Sequence, residues 1–149
     1  MRIGIITGAS SGMGKAFALA LDKEGLDELW LIARRKELLE EVAKELTTSC
    51  KVIPMDLSDK DNIQPLSKEL EGHEVRWLVN SAGVGKSGSF ESLSLEDISS
   101  LIDINIKALT LMSSMCLPYC SENSKIVNLS SSAAFLPQPN FAVYAASKS

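Results

Sequence analysis

The most constraining feature of the sequence is a short glycine-studded stretch near its start, Thr7-Gly8-Ala9-Ser10-Ser11-Gly12-Met13-Gly14. A β-rich apolar run, Arg2–Thr7, leads into it. Met13–Lys23 follows with helical spacing, Phe17, Ala20 and Leu21 falling on one face. A glycine turn between a first strand and a first helix lies at the carboxyl end of a sheet. There backbone N–H groups and the helix N-terminus face outward, which suits a pyrophosphate. Glycine permits positive φ and close approach to the main chain. The spacing departs from the common dinucleotide fingerprint, because three residues rather than one separate Gly8 from Gly12.

Strand and helix patterns then alternate. Leu29–Ala33 reads as a second strand and Lys36–Leu46 as an amphipathic helix carrying Leu38, Leu39, Val42 and Leu46. Lys51–Met55 is a third strand, Lys60–Leu70 a third helix with Pro65 awkwardly inside it, and Val75–Asn80 a fourth strand. Gly83–Ser89 is a loop by composition. Leu95–Leu117 is a long helix ended by Pro118, Lys125–Leu129 a fifth strand, and a last helix begins at Phe141. This alternation predicts an α/β fold, a doubly wound, Rossmann-like parallel sheet with right-handed crossovers. Residues 1–149 form one domain without repeat or linker. The chain stops at Ser149, early in the last helix, so the sheet is expected to be incomplete beyond strand five.

Composition narrows the function classes. With 149 residues, 45% hydrophobic, 23% charged and a net charge of −4, the profile is that of one soluble domain without the basic stripe of a nucleic-acid binder. No run of about eighteen apolar residues predicts a membrane span, and the start lacks a signal peptide's apolar segment and cleavage site. Three cysteines, Cys50, Cys116 and Cys120, are read as reduced thiols of a cytoplasmic protein. Cys116 and Cys120 fall four apart, at helical spacing, and read as two small apolar helix residues rather than a metal or disulfide pair. His73, the single histidine, reads as a loop residue before a strand, and no metal site is expected.

The end of the second strand discriminates between dinucleotides. A carboxylate there holds the adenosine ribose hydroxyls of NAD. Here the strand ends Ala33-Arg34-Arg35. Guanidinium groups bind phosphate through paired hydrogen bonds, and cations opening a helix are unfavourable without an anion. NADP(H) is therefore the expected cofactor.

Near the other end stand Tyr144 and Lys148, four apart and hence on one helical face. Reducing a carbonyl requires a proton donor at its oxygen as hydride reaches its carbon. Free tyrosine, with a pKa of about 10, is a poor donor and acceptor at neutrality, and bringing it there takes roughly 4 kcal/mol. A nearby ammonium favours the phenolate. Ser131 lies thirteen residues before Tyr144, just past the fifth strand, where a hydroxyl is placed to bond a substrate oxygen.

The spacing TGxxxGxG, with Asn80-Ser81-Ala82-Gly83, Asn105, Ser131 and Tyr144-Ala145-Ala146-Ser147-Lys148 in order, resembles the short-chain dehydrogenase/reductase family over the entire chain. The resemblance implies that Gly8, Gly12 and Gly14, with Ser11 and Met13, floor the dinucleotide, and that Arg34, assisted by Arg35 and Ser10, takes the 2′-phosphate. It places Asp56 and Leu57 at the adenine, and Ala82 and Gly83 along the cofactor. Asn80 is implied chiefly to tie strands together, and Ser81 stands where the family's second asparagine is usual. Tyr144 becomes the acid/base, Lys148 the residue that holds the ribose and tunes the phenol, Ser131 the substrate orienter, and Asn105 the anchor of a relay water. Relatives commonly dimerise through helix four and the tyrosine helix, so a homo-oligomer is expected.

The implied function is an NADP(H)-dependent oxidoreductase acting on a carbonyl or secondary alcohol. The alternatives are a catalytically weak dinucleotide-binding or sensor module, and an interaction fragment that binds no cofactor. Val84–Ser87 and Phe135–Phe141 would line a mixed substrate pocket with prolines at its rim.

Overall fold

β1 (Arg2–Thr7) and β2 (Glu28–Ala33) are near-continuous apolar runs, and each buries five of its six residues. Strands covered on both faces have that character. The computed structural model, which describes residues 1–136 and 138–149, sets them at the centre of one five-stranded sheet of order β3-β2-β1-β4-β5. Every pairing is parallel. β3 spans Ser49–Pro54, β4 Glu74–Asn80 and β5 Cys120–Asn128.

Side chains alternate across the sheet. Ile3, Ile5, Trp30 and Ile32 pack on one face against Leu66, Leu70 and Met112. Ile6, Leu29 and Leu31 pack on the other against Ala18, Leu39 and Val42. Burying each such aliphatic side chain contributes about 1.5–3 kcal/mol, which is what seats α1 (Gly12–Leu21) and α2 (Lys36–Lys44) on the sheet.

Several boundaries differ from the sequence pattern. The third helix is two short ones, α3 (Lys60–Ile63) and α4 (Leu66–Glu69). Pro65 has no N–H to donate, so it breaks the helix and opens the second piece. The long helix is continuous from Leu95 to Tyr119 but changes form. α5 (Leu95–Ile102) passes into a π-helical stretch, Asp103–Ala108, then α6 (Leu109–Cys116) and a 3-10 turn at Leu117–Tyr119. Pro118 lies inside that turn rather than ending the helix before it.

β5 starts at Cys120, well before the expected Lys125, so Cys120 is a strand residue and shares no helix face with Cys116. The early part of β5 is polar and is held by side chains. Ser124 Oγ donates to Val75 O at 2.6 Å and accepts the Ser121 N–H at 2.8 Å. By length and composition alone Leu95–Tyr119 is apolar enough to cross a membrane; in the fold Leu101, Ala108, Met112 and Cys116 are buried against neighbouring elements. The last helix, α7, covers Ala142–Lys148 and contains no buried residue.

Candidate active site

The glycine turn closes against the end of β4. Gly8 has φ +66°, and a Cβ there would lie 2.8 Å from Ala82 N, so neither the conformation nor the space admits a side chain. A Cβ at Gly14 would run into the carbonyl oxygen of Gly8, which lets α1 start directly beneath the turn. Thr7 fastens this contact. Its buried hydroxyl accepts the N–H groups of Ser81 and Ala82, each at 3.1 Å, and donates to Val79 O at 3.4 Å.

Above the turn lies a cleft of about 460 Å³. Of the residues expected at a dinucleotide, it brings together Gly8, Ser10, Ser11, Met13, Arg34, Arg35, Asp56, Leu57, Ala82 and Gly83. Gly12 and Gly14 shape the turn without lining the cleft, and Asn80 is buried behind it. Asn80 Nδ2 donates to Asn128 Oδ1 at 2.8 Å and Ser113 Oγ at 3.0 Å, joining β4 to β5 and α6. The sequence reading omitted Met55, Ser58, Ser100 and Ile104, which also line the cleft. Of these only Ser58 carried a signal, two residues after Asp56 at a turn.

Asp56 accepts the Ser58 N–H at 2.9 Å and its hydroxyl at 2.7 Å. These two bonds, and then the Arg34 guanidinium, hold the carboxyl below its usual value. Asp56 is therefore both a turn residue and part of the wall. Arg34 and Arg35 are exposed and make no ion pair among the described residues. The cleft thus offers a glycine floor, outward N–H groups and two guanidiniums, a donor set that fits the adenosine and phosphate portion of NADP(H).

At Gly83 the cleft comes close to Lys148, and at Gly85 the same segment comes close to Tyr144. A Cβ at Gly83 would lie 3.0 Å from Lys148 Nζ, and one at Gly85 would lie 3.7 Å from the Tyr144 ring. Lys148 Nζ also donates to Leu129 O at 3.1 Å. Ser131 Oγ accepts the Ala133 N–H at 3.2 Å, which leaves its hydrogen free for an external oxygen. Ser130 is already used, donating to Lys148 O at 2.6 Å.

Asn105 sits inside the π-helical stretch, 3% exposed rather than on a helix surface. Both hydrogens of its amide are used: Nδ2 donates to Val84 O and Ser147 Oγ, and Oδ1 accepts from Val84 N, all at 2.9 Å. The amide is a bracket between the segment after β4 and α7. Gly88 N–H donates to Asn140 O at 2.9 Å, tying together the two loops expected to line a substrate pocket. Phe135 and Leu136 are 82% and 66% exposed on the second of them, and Pro137 lies outside the described residues.

The family model for short chain dehydrogenase matches residues 2–149. An uncharacterized oxidoreductase of Staphylococcus epidermidis is 35% identical over 151 residues, covering 99% of this chain and 65% of that protein. The very-long-chain 3-oxoacyl-CoA reductase of Anas platyrhynchos is 37% identical over 155 residues, covering 97% of this chain and 49% of the relative. A metagenomic short-chain oxidoreductase solved in complex with NADP superimposes with a TM-score of 0.91 at 32% identity, covering 99% of this chain and 70% of that one. The chain therefore spans about half to two thirds of the length of these curated relatives. The matched family model and the shared parallel sheet agree: the chain belongs to the short-chain dehydrogenase/reductase family.

Proposed function

We propose that the chain carries the NADP(H) site and the acid/base group of an oxidoreductase acting on a carbonyl or secondary alcohol. One observation carries this reading. The cleft that starts at the glycine turn and Arg34 ends at Gly83, where the Lys148 ammonium lies one helical turn from Tyr144.

When bound, the nicotinamide supplies or receives the hydride. Arg34 and Arg35 neutralise an adenosine phosphate, and the backbone of Gly8–Met13 faces the pyrophosphate. In this reading the Lys148 ammonium, which donates to Leu129 O, also takes the ribose hydroxyls and supports the phenol. The Ser131 hydroxyl hydrogen orients the substrate oxygen, and Tyr144 Oη gives that oxygen its proton in reduction or removes it in oxidation.

Fluorescence titration tests the cofactor reading. NADPH is expected to bind about tenfold or more tightly than NADH, because a charged hydrogen bond contributes about 1.5–3 kcal/mol. Equal affinities would overturn the preference, and no binding at millimolar NADPH the site. A second reading, a dinucleotide-binding module with weak turnover, is favoured by the absence of buried residues in α7. Steady NADPH oxidation that Tyr144→Phe abolishes would exclude it.

The same proposal includes a homo-oligomer through the long helix and α7. Leu95, Ile102, Ile106 and Leu117 are exposed along the long helix, an apolar surface of the kind that marks protein contacts. Sedimentation as a monomer at micromolar concentration would remove this part.

A further inference from the structure

We propose that Ser147 is a positioning residue of the acid/base pair, passing the placement of the π-helical stretch, through Asn105, to the backbone of Tyr144. The inference rests on the reading of Tyr144 and Lys148 as that pair.

Both hydrogens of the Asn105 amide are committed, one to Val84 O and one to Ser147 Oγ. Ser147 Oγ is therefore the acceptor in that bond, and its own hydrogen goes to Tyr144 O at 2.7 Å. The chain of bonds has one direction, from amide to hydroxyl to helix carbonyl. Its other end is as well defined, because Asn105 grips Val84 by both N–H and C=O. Val84 lies between Gly83 and Gly85, the two residues that face Lys148 Nζ and the Tyr144 ring. One amide and one hydroxyl thus set the gap between the segment beneath the site and the helix above it.

The helix needs such a tie. None of the residues Ala142–Lys148 is buried, so hydrogen bonds rather than apolar packing place them. The π-helical stretch explains why Asn105 reaches it. A wider turn shifts the phase of the helix, and Asn105 is buried while Ile102 and Ile106, on either side, are each 43% exposed. A catalytic group displaced by about 1 Å loses on the order of 100-fold in rate, so a loosened α7 lowers turnover before it lowers cofactor affinity.

The test compares Ser147→Ala and Ser147→Thr with the wild-type chain. Three quantities are read: amide hydrogen exchange of α7 without ligand, NADPH affinity by fluorescence, and NADPH oxidation with 9,10-phenanthrenequinone as a carbonyl probe. In Ser147→Ala, α7 amides are expected to exchange about tenfold faster and kcat to fall about tenfold or more, with NADPH Kd within about twofold of wild type. Ser147→Thr keeps a hydroxyl that bonds back along the helix and is expected to restore both. Should Ser147→Ala be isolated unfolded, Ser147→Cys, close in volume and a weak hydrogen-bond partner, takes its place. Unchanged exchange and kcat, a rise in exchange across the whole chain, or failure of the threonine rescue would overturn the proposal. If the wild-type chain neither binds nor oxidises NADPH, the functional reading falls, and α7 exchange by itself decides whether Ser147 holds the helix.

Discussion

The two ends of the cleft are built by opposite means. Around the adenosine end, β1 and β2 are buried along almost their whole length, with Trp30, Leu29 and Ile5 at 0% exposure. At the end near Tyr144 and Lys148, no residue of β5 or α7 is buried. There the parts are placed by hydrogen bonds: Ser130 to Lys148, Asn105 to Ser147 and Lys148 to Leu129. Apolar burial is strong and tolerant of direction, whereas each polar bond contributes about 1 kcal/mol and fixes an atom in place. The first region supplies stability, and the second supplies geometry.

Substitutions in the two regions can break that division or sharpen it. The largest effect is expected from Tyr144→Phe, with turnover reduced about 10²–10⁴-fold while urea unfolding and NADPH affinity stay near wild type. Parallel loss of stability would mean that the catalytic end also holds up the fold. Trp30→Ala is the converse, costing about 3–5 kcal/mol in urea unfolding, because Trp30 is fully buried and bridged by Lys51, whose Nζ lies 4.1 Å from its ring.

Arg34→Ala is expected to erode the preference for NADPH over NADH about 10- to 100-fold without changing stability, measured by titrating both nucleotides. A smaller effect follows from pH. Burial, then the N-terminal ammonium, holds the His73 imidazole below its usual 6.5, with Lys51 adding to this and Glu28 opposing it. The folded protein resists a proton that the unfolded chain accepts. Stability is therefore complete above about pH 6.5 and falls as pH drops from there through the folded value. Melting curves at pH 7.5 and 5.5 should differ less in His73→Gln than in wild type. Smallest of all, Val143→Ala on α7 should alter unfolding by about 0.5 kcal/mol or less; a core-sized loss would refute the account of that helix.

What could be read from the sequence follows the same division. Alternating apolar strands and amphipathic helices announced the parallel sheet, because burial leaves periodic traces. The glycine turn, Arg34 and the Tyr144–Lys148 spacing were legible because each needs a particular residue type at a fixed distance. The start of β5 was not, since Ser121 and Ser124 hold it by side-chain bonds that leave no hydrophobic pattern. Nor was the burial of Asn105, which depends on a π-helical shift that local composition does not mark. Ser100 and Ile104 reach the cleft only because the long helix passes beside it.

The Thr7 hydroxyl has a mechanical consequence. By holding two successive amides just past the end of β4, it welds the glycine turn and the segment after β4 into a single anvil. A long ligand laid along that anvil cannot be stretched or relaxed by sliding one half against the other. Whatever give the ligand needs must come from parts the anvil does not include, among them the pair of loops latched at Gly88 and Asn140.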